Sequence, residues 1–361
     1  MDYRKIYSRE RLSAGDAQKA AEMIAFGPVI FQISRIMLHS GIFSMLRDSD
    51  RGMTVEEISA ESGFSEYAAK VLLESSLTAG TVLYDFDTKR YSLSKTGWFM
   101  LTDEMVRVNM DFNHDVNYIG LFDLEEALRD GKPAGLRHFG GWKTIYEGLS
   151  QLPEQVQRSW FAFDHFYSDN SFDRALEIVF ARRPHRILDV GGNLGAWALK
   201  CVEHDPDVRV TIADLPPQIE MMRRETAGHP GSDRIDAWPV DMLDGSSVLP
   251  SSPRIDAVWM SQFLDCFSLK EIRSILGKAV RIMDGEARLY IMETLWDRQR
   301  YETAAMCLTQ ISPYFTALAN GRSKMYSLED LRGAVEASGL AVEEIYDGIG
   351  LGHSILECKI K

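Results

Sequence analysis

The sequence predicts an α/β protein in which an all-α and winged-helix region precedes a Rossmann-like, doubly wound sheet with a C-terminal antiparallel strand. Two patterns lead to this prediction. From residue 186 onward, short apolar runs alternate with helical segments, as in parallel sheets that are buried on both faces. Upstream, residues 52–104 show the order helix, turn, helix, hairpin. The 361 residues correspond to two or three domains at roughly 150 residues each.

The composition is that of a globular protein with an excess of acidic residues. Apolar residues make up 45% of the chain, and 40 Lys and Arg against 53 Asp and Glu give a net charge of −13. This acidity argues against a protein that binds nucleic acid mainly through phosphate contacts, because such contacts need a local excess of Lys and Arg. The cysteines are widely separated and form no C-x-x-C pattern, so neither a disulfide framework nor a metal site is expected. They are Cys201, Cys266, Cys307 and Cys358.

The first residues, MDYRKIYSRE, are polar and charged, so we expect no signal peptide and a cytoplasmic location. The most apolar early stretch, residues 23–38, is interrupted by polar residues and helix breakers, and it is too short and too polar to span a membrane. These interruptions are Gly27, Pro28, Gln32 and Arg35. We expect this stretch to pack in a core or against a partner subunit.

The winged-helix prediction rests on capping residues and a hairpin pattern. Thr54, with Glu57 three residues later, fits a capping box at the start of a short helix. Ser65 caps a second helix over residues 66–78, and residues 82–93 fit a β-hairpin. Lys70 is the only basic residue of the second helix, whereas DNA-reading helices usually carry several Arg, Lys, Asn or Gln side chains. We therefore expect this region to pack or dimerise and to bind no nucleic acid.

The second half of the chain predicts the strands and helices of the sheet. Because the last two strands are joined by only a few glycine-rich residues, the final strand is expected to run antiparallel to its neighbour. The predicted strands cover residues 187–190, 208–212, 234–238, 257–260, 287–292, 341–345 and 353–359, and the predicted helices cover residues 194–201, 218–224, 270–282 and 328–337.

A glycine-rich loop follows the first strand of this sheet. Gly191, Gly192 and Gly195 lie where the strand turns into a helix, and glycines there let the backbone approach a ligand closely. Asp214 follows the second strand, where a carboxylate accepts hydrogen bonds from a ribose. These features fit either a nicotinamide dinucleotide or S-adenosylmethionine.

Two further acids favour S-adenosylmethionine. Asp189, at the tip of the first strand, would repel a pyrophosphate but suits a cationic sulfonium ligand. Asp241 and Met242, after the third strand, offer an acceptor for an exocyclic amine and a polarisable side chain for a flat base. The alternative is that Asp241 caps a turn and Met242 fills the core. Taken together, the features predict an S-adenosylmethionine site.

With these motifs the chain resembles the dimeric, metal-independent class I O-methyltransferases, a family that includes plant caffeate and flavonoid enzymes and bacterial polyketide and hydroxyindole enzymes. The resemblance spans nearly the whole chain. It is carried by the winged-helix region and by residues 152–163, 189–195, 214–216, 241–242 and 331–340. It implies a class I methyltransferase sheet, a small-molecule acceptor and a homodimer formed through the N-terminal region.

The resemblance also assigns residues to the cofactor. It places Gly191 against the methionine portion, Asp214 against the ribose, and Asp241 with Met242 against the adenine. We expect Asp189, Gly192, Gly195 and Ser261 to complete the cofactor site. The implied domains are a dimerisation domain over residues 1–104, a helical linking segment over 105–180 that lines the acceptor site, and a cofactor-binding catalytic domain over 181–361.

The catalytic position departs from the family pattern. The family has a base, His, after the fourth strand, and this chain has Asp265 there; Ser261 stands where the family often has Lys or Arg. Glu293 matches a family carboxylate that flanks the His, and two acids in a dry cleft raise each other's affinity for a proton. The second flanking acid is replaced, with either Ser323 or Met325 at its position. The alternative for Asp265 is a helix cap near Ser268 or an ion pair with Arg273.

The resemblance implies that the acceptor pocket includes Phe163, His165, Tyr167 and Met306, with His165 as a reserve base; the alternative is that these are ordinary core or helix-face residues. The sequence predicts O-methylation of a hydroxyl group on a small aromatic or polyketide-like metabolite, with Asp265 and Glu293 as catalytic residues. The alternative is an S-adenosylmethionine-binding protein that has lost or changed the transfer chemistry, or a cofactor-sensing winged-helix regulator.

Overall fold

A computed structural model describes residues 3–168 and 171–361, and leaves the side chains of Arg4, His165, Tyr167 and Ser168 outside the description. The chain forms two compact units, of which one ends at His114 and the other begins at Asp115. The helix Glu104–Phe112 belongs to the first unit, and the predicted dimerisation domain over residues 1–104 stays a prediction. Residues 115–180 form no unit of their own, and their predicted linking role stays a prediction.

The first unit has the predicted helix, turn, helix, hairpin order. The capping box forms as expected, since the Thr54 backbone N–H donates to Glu57 Oε2 at 3.0 Å and the Glu57 N–H donates to Thr54 Oγ1 at 3.3 Å. Strands β1 and β2 pair antiparallel. The elements are α1 Tyr3–Tyr7, α2 Ala14–Ala25, α3 Gly27–His39, α4 Ile42–Asp48, α5 Val55–Ser62, α6 Glu66–Ala79, β1 Val82–Asp85, β2 Arg90–Leu93, α7 Lys95–Thr102 and α8 Glu104–Phe112.

The second unit begins with helices and continues as an alternation of strands and helices. Its elements are α9 Leu124–Asp130, α10 Ile145–Gly148, α11 Glu154–Ser168, α12 Phe172–Phe180, β3 Arg186–Val190, α13 Ala196–His204, β4 Arg209–Asp214, α14 Pro216–Thr226, β5 Ile235–Pro239, β6 Ala257–Ser261, α15 Leu269–Val280, β7 Arg288–Glu293, α16 Glu302–Tyr314, α17 Leu328–Ala337, β8 Leu340–Ile349 and β9 His353–Ile360.

The seven strands of this unit form one sheet in the order β5-β4-β3-β6-β7-β9-β8. All pairs are parallel except those of β9, which runs antiparallel to β7 and to β8. The predicted antiparallel last strand is thus confirmed. Alternate residues of the central strands point to opposite faces, so that Leu188 belongs to one apolar core and Ile187 to the other.

Helices cover both faces of the sheet. On one face α15 and α17 contribute Ile272, Ile275 and Leu331, and on the other face α12 and α13 contribute Val179 and Trp197. A sheet buried on both faces carries its ligand site beyond the carboxyl ends of the parallel strands. The carboxyl ends of β3, β4, β6 and β7 therefore mark the edge at which the predicted site residues meet.

Within the described ranges no single helix is long and apolar enough to cross a membrane; α2 and α3 reach that length and hydropathy only together, with a bend of 71° between them.

Candidate active site

The loop between β3 and α13 is built for close approach to a ligand. Gly191 has φ +77° and Gly195 has φ +86°, in the left-handed region that favours glycine. A Cβ at Gly191 would lie 2.3 Å from the ring of Phe263, and one at Gly192 would lie 2.5 Å from Asp189 Oδ2. The loop therefore tolerates only glycine at these positions, and its backbone lies directly against Asp189 and Phe263.

Asp189, in β3 just before this loop, is deeply buried, with 2% of its surface exposed. Its Oδ2 has no hydrogen-bond partner among the described residues. Burial, and secondarily the charge of Asp214, raise the pKa of Asp189 to about 8. An unpartnered buried carboxylate is costly, and a cationic ligand would stabilise its ionised form. The residues present thus fit a sulfonium cofactor.

Asp214, the last residue of β4, is fixed by two backbone donors. Its Oδ2 accepts from the N–H of Asn193 at 2.9 Å and its Oδ1 accepts from the N–H of Leu215 at 2.7 Å. Burial raises the pKa of Asp214, and these two hydrogen bonds act in the opposite direction. The carboxylate is therefore held beside the glycine loop, at the place predicted for the ribose contact.

Asp241 and Met242 lie in the turn that follows β5. The Asp241 side chain is exposed, and its Oδ1 accepts from the N–H of Leu243 at 2.8 Å. Met242 is buried in the core of the sheet. The turn-capping and core-filling roles that the sequence left open are thus both present, and an additional contact of either residue with adenine stays a prediction.

The predicted acid pair, Asp265 and Glu293, lies at the carboxyl ends of β6 and β7. Glu293, the last residue of β7, is 4% exposed, and its Oε1 accepts from the backbone N–H groups of Phe263 at 3.1 Å and Leu264 at 2.7 Å. Asp265 lies in the 3₁₀ turn Leu264–Cys266. Glu293 Oε2 and Asp265 Oδ1 have no hydrogen-bond partner in the part of the chain that the structure describes.

Burial shifts the pKa of both acids in the same direction. Burial, followed by the charge of Asp265, raises the pKa of Glu293 well above its usual range. Burial also raises the pKa of Asp265 to about 6, and the charge of Asp164 adds to this. Glu293 therefore keeps its proton where Asp265 ionises, so the pair holds one proton. Asp265 does not cap α15, whose N-cap is Ser268.

Polar and aromatic residues from distant segments lie near Asp265. Tyr146 donates from its hydroxyl to the sulfur of Cys266 at 3.1 Å. Trp160 donates from Nε1 to the hydroxyl oxygen of Tyr314 at 2.7 Å. Burial raises the pKa of Tyr314, and the charges of Cys266, Asp164 and Asp265 add to it. These hydrogen bonds join segments more than 100 residues apart, and no local sequence motif predicts them.

The segment 320–325, where the sequence predicts that the family's second acid is replaced, contacts Cys266. Asn320 donates from Nδ2 to the carbonyl oxygen of Cys266 at 2.9 Å and to Ser323 Oγ at 2.8 Å. Met325 accepts through its sulfur from Thr294 Oγ1 at 3.4 Å. Ser323 and Met325 thus have packing and hydrogen-bonding roles, and neither supplies a carboxylate.

The remaining site residues are predicted for the cofactor site, at Ser261, and for the acceptor pocket. Ser261 ends β6 beside Met292 of β7. Phe163 is partly buried on α11, whereas Met306 is 52% exposed on α16. The side chains of His165 and Tyr167 lie outside the described residues. The acceptor contacts of these residues and the cofactor contact of Ser261 stay predictions.

Comparison with known proteins identifies two domain families. A Dimerisation2-like domain matches residues 18–91, and an O-methyltransferase domain matches residues 123–332. Among curated proteins the chain is similar to an L-tyrosine C(3)-methyltransferase of Streptomyces lavendulae, with 24% identity over 84% of this chain and 81% of that protein.

Solved structures share the fold. The apo form of the S-adenosylmethionine-dependent methyltransferase SibL has a TM-score of 0.69 and 22% identity, and the match covers 94% of this chain and 98% of that one. The O-methyltransferase NcsB1 of neocarzinostatin biosynthesis has a TM-score of 0.63 and 17% identity, with coverage of 92% and 95%, and was solved with S-adenosylmethionine and 2-hydroxy-5-methyl naphthoic acid. The predicted fold class and cofactor are confirmed. The chain belongs to the family of S-adenosylmethionine-dependent O-methyltransferases that carry a dimerisation domain.

Proposed function

We propose that this protein transfers a methyl group from S-adenosylmethionine to a hydroxyl group of a small aromatic or polyketide-like metabolite, with the acid pair Asp265 and Glu293 in place of a histidine base. One observation carries the proposal. Two carboxyl groups with raised pKa values lie beyond neighbouring strands of the cofactor-binding sheet, and each has an oxygen without a partner among the described residues.

The residues around the glycine loop would hold the cofactor, which when bound supplies an electrophilic methyl group on a cationic sulfur. Asp189 would complement the positive charge, Asp214 would accept hydrogen bonds from the ribose, and Gly191 and Gly192 would let the backbone approach. Asp241 and Met242 would meet the adenine. Methyl transfer depends mainly on alignment and exclusion of water, which the buried surroundings of Asp189 and Glu293 favour.

Asp265 would accept the proton of the acceptor hydroxyl. A general base works best when its pKa lies near the operating pH, and a pKa of about 6 brings an aspartate into that range. Glu293 acts through Asp265, because its Oε1 holds the backbone of Phe263 and Leu264, which precede Asp265 in the chain. Glu293 is thus a positioning residue and Asp265 the catalytic one.

Calorimetric titration with S-adenosylmethionine and S-adenosylhomocysteine tests the cofactor half of this proposal. We expect binding of both, weakened in Asp214→Asn because the ribose acceptor is lost. The exposed Glu344→Gln serves as the matched control, since it changes one charge far along the sheet. The absence of binding at millimolar ligand would contradict the proposal.

Transfer to a ring carbon is a second candidate, favoured by the similarity to an L-tyrosine C(3)-methyltransferase. A base that deprotonates a phenol also activates the ring carbons next to the carbon that bears the oxygen. The same acid pair would therefore serve O-methylation or C-methylation. The two outcomes are separated by NMR of the product, because an O-methyl and an aryl C-methyl group have different chemical shifts. A protein that binds the cofactor and yields neither product would have lost the transfer chemistry.

We also propose that the first unit forms a homodimer. The family match over residues 18–91 is a dimerisation domain, and α2 and α3 expose apolar side chains that a monomer would leave in water. Ile24 is 80% exposed, and Phe26 and Val29 are more than half exposed. A second copy of this chain would cover them. The cytoplasmic location stays a prediction.

A further inference from the structure

Lys278 is a buried cation inside the cofactor-binding unit, and no sequence motif pointed to it. It lies in the last turn of α15 and is 3% exposed. Lysine is almost never this deeply buried unless its charge is paired or hydrogen-bonded. What its ammonium group contacts therefore decides its role.

Among the described residues, the hydrogen bonds of the Lys278 ammonium group all go to the turn after β5. It donates to the carbonyl oxygen of Met242 at 2.9 Å, to the carbonyl oxygen of Asp244 at 2.5 Å and to Ser247 Oγ at 2.6 Å. An ammonium group has three N–H donors, so these contacts use all of them. The side chain thus joins α15 to both ends of this turn.

The same turn orients the side chain of Asp241, which is predicted to contact the adenine. Ser247 Oγ, which accepts from Lys278, lies 2.8 Å from the carbonyl oxygen of Asp241 and donates toward it. The Asp241 carboxylate in turn accepts from the N–H of Leu243 at 2.8 Å. Burial lowers the pKa of Lys278, and the charges of Asp244 and Asp241 act against that lowering. The cation therefore fixes the backbone on both sides of Met242 and the orientation of Asp241.

We infer that Lys278 is a positioning residue for adenine recognition: by holding the carbonyl groups of Met242 and Asp244, it keeps Asp241 oriented toward the exocyclic amine of the cofactor. This inference rests on the proposed function, because it assumes that residues 241–242 meet the adenine. Lys278 itself does not touch the cofactor. Its replacement should weaken the recognition of the amine more than any other part of binding.

The test compares two ligands that differ only at the base. S-adenosylhomocysteine carries the exocyclic amine, and S-inosylhomocysteine carries an oxygen there, which cannot donate to Asp241. We expect the wild-type protein to prefer the adenine ligand by roughly a hundredfold, because the analogue loses a hydrogen bond to a charged carboxylate. The dissociation constants are measured by calorimetry, with competitive displacement for the weaker ligand.

In Lys278→Met, which keeps the length of the side chain, we expect this preference to fall by roughly tenfold, which corresponds to about 1.4 kcal/mol. Ser247→Ala, which removes one of the three acceptors, should lower it less, and Lys278→Arg should retain part of it. Lys270→Met, on the exposed side of the same helix, should leave it unchanged. A general loss of stability would reduce the fraction of active protein but not the ratio of the two constants.

If Lys278→Met does not fold, Ser247→Ala and Lys278→Arg carry the test. A preference equal to that of the wild type in all folded variants would overturn the role of Lys278 while leaving the cofactor site intact. A wild-type protein that binds neither ligand would instead contradict the proposed function, and the inference would fall with it.

Discussion

At Asp265, burial and the charge of Asp164 bring the pKa of an aspartate to about 6, close to the ordinary value of a histidine, about 6.5. A solvated aspartate, with a pKa near 3.9, would be a feeble base. The surroundings of the residue thus bring its proton affinity close to that of a histidine, as the proposed role of a base requires.

Glu293→Gln should leave the pH dependence of the reaction close to that of the wild type. Because burial and the charge of Asp265 raise the pKa of Glu293 well above its usual range, Glu293 keeps its proton where Asp265 ionises, and a neutral amide resembles the neutral acid. The acidic limb of kcat/KM, followed from pH 4.5 to 8, should therefore keep a midpoint near pH 6. A limb that moves to clearly lower pH would show that Glu293 is ionised beside Asp265; Glu344→Gln is the control.

Asp189→Asn should remove a pH-dependent loss of stability in the cofactor-free protein. The pKa of Asp189 is raised to about 8 in the folded state from 3.8, so the folded protein binds this proton more tightly than the unfolded chain. The stability that this tighter proton binding contributes is complete below pH 4. It is lost as the pH rises toward 8, at about 1.4 kcal/mol per pH unit.

Thermal unfolding at pH 6 and pH 9 checks this prediction. The asparagine variant stays neutral, so its advantage in Tm over the wild type should be larger at pH 9 than at pH 6. Parallel pH dependences of the two proteins would mean that Asp189 does not hold its proton in the folded state.

At the scale of elements, the sequence was most informative about strands and caps. Parallel strands buried on both faces appear as apolar runs, and the predicted strand at 257–260 differs from the observed Ala257–Ser261 by one residue. The positions of Asp189 and Glu293 at strand ends followed from this. Contacts between distant segments could not be predicted in this way, because neither the hydrogen bond from Lys278 to Met242 nor that from Tyr146 to Cys266 has a local sequence pattern.

Gly191→Ala should weaken cofactor binding and destabilise the fold. The new Cβ would lie 2.3 Å from the Phe263 ring at a φ of +77°, and a strained position of this kind costs about 1–3 kcal/mol. Gly277→Ala is the matched control, because it lies within α15 with no atom within 4 Å of the added Cβ and should stabilise by about 1 kcal/mol. Urea unfolding and calorimetry with S-adenosylhomocysteine measure both effects. Equal behaviour of the two variants would contradict the account of the loop.

At the scale of the whole molecule, the excess of acidic residues argued against nucleic-acid binding but carried no information on the proton state of the site. The sequence placed acids at strand ends, whereas their proton affinities depend on burial and on neighbours such as Asp164, which only the folded chain brings close to Asp265. The boundary after His114 was equally hidden, because α8 continues the helical pattern of the first unit without a break in composition.

The double variant Ile24→Glu with Val29→Glu should convert the protein to a monomer. Two charges on an apolar surface oppose its burial against a second copy. Light scattering after size-exclusion chromatography should give twice the chain mass of 40.9 kDa for the wild type and the single mass for the variant. Met221→Glu, an exposed apolar position on α14, should remain dimeric. A wild-type protein that elutes as a monomer would contradict the homodimer.

The central claim is that Asp265 is the base of a methyl transfer from S-adenosylmethionine, and the incorporation of labelled methyl groups into a panel of small phenols tests it most directly. We predict incorporation by the wild type that rises with pH through about 6, and a loss of roughly a hundredfold or more in Asp265→Asn, since general base catalysis contributes about 10² to 10⁴. The variant should still bind S-adenosylhomocysteine as the wild type does. Undiminished incorporation by Asp265→Asn would contradict the claim.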